Sequence, residues 1–168
     1  MNLTQKSWIS ATILLTFSFI ATASFCQENE PGFSRSQFYS VLASQNIQQV
    51  EEQLLLLKKA NVRERNAYQG TLVMKKAGLV RGAGKKLNLF KEGHKQLEAA
   101  IAKDSNNAEL RFLRLVIQEK APRILGYKDD LDKDSAYIRQ SFKKLPVDVR
   151  QAITDYSKTS KVLRSEDF

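Results

Sequence analysis

The sequence predicts an all-α protein, either a small helical bundle or a short α-solenoid-like array of about six to seven helices. Apolar residues recur at three- and four-residue steps along most of the chain, and helix-capping residues precede several of these stripes. No segment combines sustained two-residue alternation with hairpin turn signals, so we expect no sheet. The length suits one domain, which we place at residues 34–164, between a short extension at 27–33 and a C-terminal tail at 165–168.

Residues 1–26 have the pattern of a signal peptide. Lys6 precedes an apolar run over residues 8–20, which has the length of a signal-peptide core and is too short to span a bilayer. Small residues follow, and cleavage after Ala23 or after Cys26 satisfies the small-x-small rule. The alternative is a lipoprotein acylated on Cys26, which Phe25 disfavours because a small residue is expected before a lipidated cysteine. We therefore expect export to the periplasm or the cell surface.

Three polar residues in the first half of the domain are placed as helix N-caps. Ser34 forms a capping box with Gln37, and Asn46 and Asn61 offer two further helix starts. Each precedes an apolar stripe, formed respectively by Phe38 and Leu42, by Ile47, Val50, Leu54 and Leu57, and by Ala67, Thr71 and Met74. These patterns predict three amphipathic helices.

The second half of the chain predicts the remaining helices. After a break at residues 82–84, a long helix carries Leu87, Phe90, Leu97 and Ile101. Residues 110–117 are apolar over most of the helix circumference, so we expect this helix to be the central and most buried one. Pro122 ends it, and Pro146 separates the last two helices from each other.

Residues 93–107 resemble the second helix and the following turn of a tetratricopeptide repeat. Gly93, Leu97, Ala100 and Ser105 have the spacing of the repeat's small, large, alanine and turn positions. Serine replaces the usual proline, and the first-helix pattern is missing at its expected offset. The resemblance implies one tetratricopeptide-like hairpin near residues 85–120, with Gly93 and Ala100 facing a neighbouring helix at close range. An ordinary amphipathic helix pair is the alternative.

The positive charge of the chain is concentrated in one segment. The whole sequence has a formal net charge of +9, and residues 58–95 contain eleven Lys and Arg residues against two glutamates. We expect a basic patch that binds an anion or a partner, on two predicted helices and the break between them. It consists of Lys75, Lys76, Arg81, Lys85, Lys86, Lys91 and Lys95. The alternative is that these side chains only solvate the outer faces of the helices.

Residues that carry chemistry are scarce. The chain has one cysteine and one histidine, which excludes a multi-histidine metal site, and His94 has no identifiable general-base partner. The three aspartates within residues 130–134 have the spacing of a calcium loop but lack its glycine, so we interpret them as the acidic start of a helix. We expect no catalytic residues, no cofactor and no bound metal.

The resulting hypothesis is an exported, non-catalytic module that holds a protein partner in a groove between helices. The first alternative is a basic adaptor for an anionic membrane surface or an acidic polysaccharide, and the second is a small cell-envelope hydrolase. An apolar groove would favour the protein-binding module. A flat face of lysines would favour the basic adaptor, and two carboxyl groups facing each other across a cleft would favour the hydrolase. Nucleic acid is not expected as a partner, because no binding motif accompanies the basic segment.

Overall fold

The structure is a computed structural model that describes residues 32–168, which belong to one compact unit. The α-helices are α1 (Arg35–Ala43), α2 (Ile47–Lys59), α3 (Arg65–Leu79), α4 (Ala83–Lys103), α5 (Ala108–Lys120), α6 (Leu131–Ser141) and α7 (Val147–Ser157). Short 3-10 helices span Arg123–Leu125, Phe142–Lys144 and Ser165–Asp167. The predicted all-α bundle of six to seven helices is confirmed over these residues, which contain no strand.

The predicted signal peptide, with its cleavage after Ala23 or Cys26, lies outside the described residues. The same holds for most of the predicted 27–33 extension, of which the structure describes only residues 32 and 33. From residue 32 onward, none of the helices has both the length and the apolar character that crossing a membrane requires.

Side-chain caps fix the starts of three helices. Ser34 accepts a hydrogen bond from the backbone amide of Gln37, while Asn46 and Asn107 each accept from two amides in the first turns of α2 and α5. The predicted cap at Asn61 is wrong, because α3 begins only at Arg65 and no side chain caps its N-terminus. Residues 61–64 instead form the connection from α2, so the apolar stripe of α3 begins in its first turn.

Helix α5 is the central helix, as its sequence predicts. Every residue from Ala108 to Gln118 is buried, and α3, α4 and α6 all pack against it. Its apolar side chains share one core with Phe38 of α1, Leu72 of α3 and Ile153 of α7. A helix that is apolar over most of its circumference avoids water only when other helices surround it, which explains this position.

Helices α3 and α4 approach each other through glycines. A Cβ atom added to Gly70 would lie 2.6 Å from the carbonyl oxygen of Gly93, and one added to Gly93 would lie 2.7 Å from Cγ of Met74. At contacts this short, a side chain at either position would force the two helices to shift apart. Gly93 therefore faces the preceding helix at close range, and Ala100 is half-buried. The tetratricopeptide resemblance itself stays a prediction.

The last residues of the chain, predicted as a tail, pack onto the domain. The carboxylate of Asp167 lies 2.8 Å from Nε of Arg139, and the ring of Phe168 lies 4.5 Å from that of Phe142. Leu163, just before this segment, is completely buried. The helical domain therefore extends to the C-terminus, because aromatic and ionic contacts with α6 and the 3-10 helix after it hold the final residues.

Candidate functional site

Helix α5 carries the carboxylate of a first buried charge cluster. The Glu109 carboxylate accepts hydrogen bonds from Tyr68 Oη at 2.6 Å, from Tyr39 Oη at 3.0 Å and from Arg35 Nε at 3.2 Å. Burial, and then the nearby Glu109 carboxylate, raise the pKa values of Tyr39 and Tyr68. Both tyrosines therefore remain neutral donors, and the cluster fastens α1 and α3 to α5.

A second buried cluster joins α5 to α4 and α6. Asp134 is completely buried and accepts from Arg114 Nε at 2.7 Å and from Arg111 Nη1 at 3.0 Å. Glu98 of α4 lies 3.0 Å from Arg114 Nη1 and also accepts from the hydroxyl of Tyr127. Asp134 is therefore part of an ion-pair network. Residues 32–168 contain no group of three or more His, Cys, Asp or Glu that could hold a metal ion.

His94 lies in α4 beside aromatic rings. Its ring is 4.5 Å from the ring of Tyr127, edge to face, and 6.2 Å from that of Phe90, with which it stacks. Within the described part of the chain, no side chain hydrogen-bonds to its ring nitrogens. The arrangement gives His94 a packing role that supports the position of Phe90.

Phe90 forms part of an open groove of about 510 Å³ between the end of α3, the start of α4 and the end of α5. We call it the lysine-rimmed groove. Its cationic residues are Lys75, Lys86 and Lys120. Its apolar side chains are those of Met74, Ala77, Leu79, Ala83, Leu87, Phe90, Ile117, Ala121, Pro122, Ile124 and Leu125. Ile124 is 93% exposed and Leu87 is 40% exposed, so apolar surface faces solvent here.

The lysines of this groove lack partners of opposite charge. Among residues 32–168, no carboxylate lies within 4.0 Å of the ammonium groups of Lys75, Lys86 or Lys120. Burial, and then the charge of Lys120, lower the pKa of Lys75. The groove therefore combines an apolar lining with positive charge that the described residues do not neutralise.

Two other grooves of similar size differ in charge. The groove between α2, α3 and α4, of about 520 Å³, contains the ion pair of Lys76 with Glu51, at 2.8 Å. The groove between α1, α5 and α7, of about 480 Å³, contains Asp155, which pairs with Lys158 at 2.6 Å. Both contain carboxylates among their lining residues, Glu51 and Glu92 in the first and Asp148 and Asp155 in the second, whereas no carboxylate lines the lysine-rimmed groove.

The seven residues predicted as one basic patch occupy different faces. Lys75 and Lys86 line the lysine-rimmed groove. Lys76 pairs with Glu51 of α2, and both Lys76 and Lys85 lower the pKa of that carboxyl, Lys76 the more strongly through its hydrogen bond. Arg81 is exposed in the turn between α3 and α4. The structure therefore brings only two of the predicted residues into the groove.

Lys91 and Lys95 lie on the outer face of α4. Each is two residues from Gly93, which faces α3, and two residues turn a helix by about 200°. Both side chains are exposed. They point away from the α3–α4 contact and line none of these three grooves.

Lys120 and Ile124 line the groove but were not predicted from the sequence as site residues. Lys120 is the last residue of the central helix and Ile124 follows it, both outside the basic segment, and they reach the groove because α5 ends beside α3 and α4. The available signal was local: a lysine in the last turn of an otherwise buried helix and an isoleucine two residues after Pro122. Comparisons with protein-family models, with curated proteins and with solved structures found no match to this chain.

Proposed function

We propose that this chain is an exported, non-catalytic α-helical interaction module that holds a protein partner in the lysine-rimmed groove. The observation that carries the proposal is the exposed apolar lining of that groove beside unpaired lysines. Binding grooves for helices and peptides combine apolar anchor pockets with a few polar groups that fix orientation. The tetratricopeptide resemblance of residues 93–107 supports the same function, because such repeats present concave binding surfaces.

The distribution of lysines disfavours the basic adaptor. Binding a flat anionic surface requires several cations on one face, whereas Lys76, Lys86 and Lys91 point in different directions around the α3–α4 pair. An acidic polysaccharide would leave the apolar lining of the groove unused. A protein segment uses both the lining and the charge.

The proposal is tested by capture of partners from the native cells that produce the chain. Full-length tagged protein is cross-linked in those cells, and the recovered partners are quantified for a Leu87→Asp, Ile124→Asp double variant. Because the two substitutions place charge on the exposed apolar lining, we expect recovery to fall about tenfold, as for the loss of about 1.4 kcal/mol of binding free energy.

The matched control is Val147→Asp, which alters another exposed apolar residue, 70% exposed on α7 and outside the groove. Recovery should be unchanged in this control. Circular dichroism of each variant checks that the helical fold is intact. Equal recovery from the double variant, the control and the wild type would contradict the proposed function.

A further inference from the structure

We infer that the partner segment is an acidic amphipathic one, whose apolar side chains fill the lysine-rimmed groove while a carboxylate lies between Lys75 and Lys120. This inference rests on the proposed function and adds the chemistry of the partner. It requires a polypeptide that places Asp or Glu next to large apolar residues. Lys86, at the start of α4, is available to a second carboxylate of the same segment.

Charge pairing differs between the interior of the bundle and the groove. The buried cations of α5, Arg111 and Arg114, share the carboxylate of Asp134. The groove lysines have no such partner among residues 32–168, although the same helix α5 contributes Lys120. An acidic ligand supplies the missing charge, and electrostatic complementarity of this kind speeds association and selects partners.

Lys75 occupies an electrostatically unfavourable position in the free protein. Its side chain is half-buried in the wall of the groove, where loss of hydration disfavours its charge, and Lys120 is close enough to repel it. Both effects cost folding free energy in the free protein. A carboxylate bound between the two lysines would attract both ammonium groups. Binding would therefore offset the free energy that their repulsion costs the free protein.

The concave shape of the groove favours a polypeptide over a membrane surface. A bilayer surface can contact the exposed residues Ile124 and Leu87, but it cannot follow a concave wall inward to Lys75. A peptide can do so, because single side chains enter the groove between α3 and α5. Helix-in-groove binding of this kind uses apolar anchors at one face of the ligand and charges at its edge.

The test uses photo-cross-linking by the full-length chain in its native cells. A photoreactive phenylalanine analogue replaces Ile124, which lies at the exposed edge of the groove. We expect adducts to a polypeptide segment that contains Asp or Glu beside apolar residues, identified by mass spectrometry. A Lys75→Glu, Lys120→Glu variant should lose about tenfold or more of the adduct, because attraction becomes repulsion at two positions.

The matched control is Lys91→Glu, Lys95→Glu, which changes the net charge equally on the outer face of α4. Adduct yield should stay within about twofold of wild type, since exposed charges outside the contact mainly alter long-range steering. A Lys75→Gln, Lys120→Gln variant removes the charges without introducing anions, and we expect an intermediate loss. If the charge-reversed protein fails to fold, this neutral variant decides the result.

The failures of the two proposals differ. Undiminished protein adducts in the Lys75 and Lys120 variants, equal losses in the Lys91 and Lys95 control, or segments without acidic residues would overturn the acidic partner and leave the protein-binding groove standing. Adducts to lipid or polysaccharide instead of protein would overturn both, and would make the chain a basic adaptor.

Discussion

The charges inside the bundle are paired with each other, whereas those at the lysine-rimmed groove are not, although helix α5 contributes to both. In the middle of α5, Arg111 and Arg114 are buried and share the carboxylate of Asp134. At its end, Lys120 is exposed and has no carboxylate partner among residues 32–168. The interior charges satisfy each other when the chain folds, whereas the groove lysines pair with no carboxylate of the described residues, and the ammonium of Lys120 lies only over the ring of Tyr156, 5.2 Å from its centroid.

The interior network has the geometry that buried ions require. Removing charges from water costs several kcal/mol per ion, which is offset only when hydrogen bonds and close ion pairs replace the lost hydration. Asp134 receives N–H donors from Arg111 and Arg114, and Glu98 adds a second carboxylate to Arg114. These contacts fix α4 and α6 relative to α5, so the network specifies how the helices pack.

The largest expected effect in this comparison comes from removing the buried carboxylate. Asp134→Ala leaves two buried guanidinium groups without their main partner, so the free energy of unfolding should fall by roughly 3–5 kcal/mol. Asp155→Ala, which breaks the exposed pair with Lys158, should lower the free energy of unfolding far less, because water and salt screen a surface pair. Urea denaturation measures both, and similar losses would remove the distinction between interior and surface charge.

The second effect concerns the helix contact on which the groove is built. Gly93→Ala places a methyl group against the backbone of Gly70 and against Met74, so α3 and α4 must separate. We expect a loss of roughly 1–3 kcal/mol, the usual range for overpacking. Gly84→Ala is the control, because a Cβ there meets open space and alanine favours the helix. Thermal unfolding of both variants checks this, and a neutral Gly93→Ala would contradict the close contact.

Local rules explain most of what the sequence predicted about the fold. Ser34 and Asn46 begin helices because their side chains accept amide hydrogen bonds within three residues. The position of α5 follows from its own apolar circumference. Asn61 does not begin a helix, because a residue type that caps helices also suits a turn, and the distinction depends on how α2 and α3 pack.

The site was harder to predict because it depends on distant segments. Glu109 meets Arg35 across 74 positions, and no local pattern marks that pair. The basic segment was visible in composition, but helical geometry distributes Lys75, Lys76 and Lys91 over separate faces. Lys120 joins the groove only through tertiary packing. Sequence periodicity predicts which face of a helix is buried, and it does not tell which helix covers that face.

The third effect is a loss of stability at alkaline pH, which is smaller for each residue than the effects above. Burial, followed by the neighbouring carboxylates, raises the pKa values of Tyr39, Tyr68, Tyr127 and Tyr156 above the usual value near 10. Their contribution to stability is therefore complete below about pH 10 and is lost as pH rises toward the folded-state values, by up to about 1.4 kcal/mol per pH unit for each tyrosine. Urea unfolding at pH 9, 10 and 11 measures the loss.

A matched variant sharpens the pH prediction. Tyr68→Phe removes one titrating donor to Glu109, so its stability should fall less steeply above pH 10 than that of the wild type. Absorbance at 295 nm follows tyrosine ionisation in the folded protein. Ionisation of all the tyrosines near pH 10, before unfolding, would show that the interior hydroxyls are not held as neutral donors.

The smallest effect is also the most direct test of the central claim, that the groove lysines serve binding and not folding. Lys75→Met keeps the length of the side chain, removes a half-buried charge beside Lys120 and adds apolar surface to an apolar lining. The free energy of unfolding in urea at pH 7 should rise by about 0.5–1 kcal/mol, because a residue kept for binding is often not the most stabilising one at its position. Lys91→Met, on the exposed outer face of α4, should leave it unchanged. A clear fall in stability for Lys75→Met would show that this lysine supports the fold, and would contradict the account.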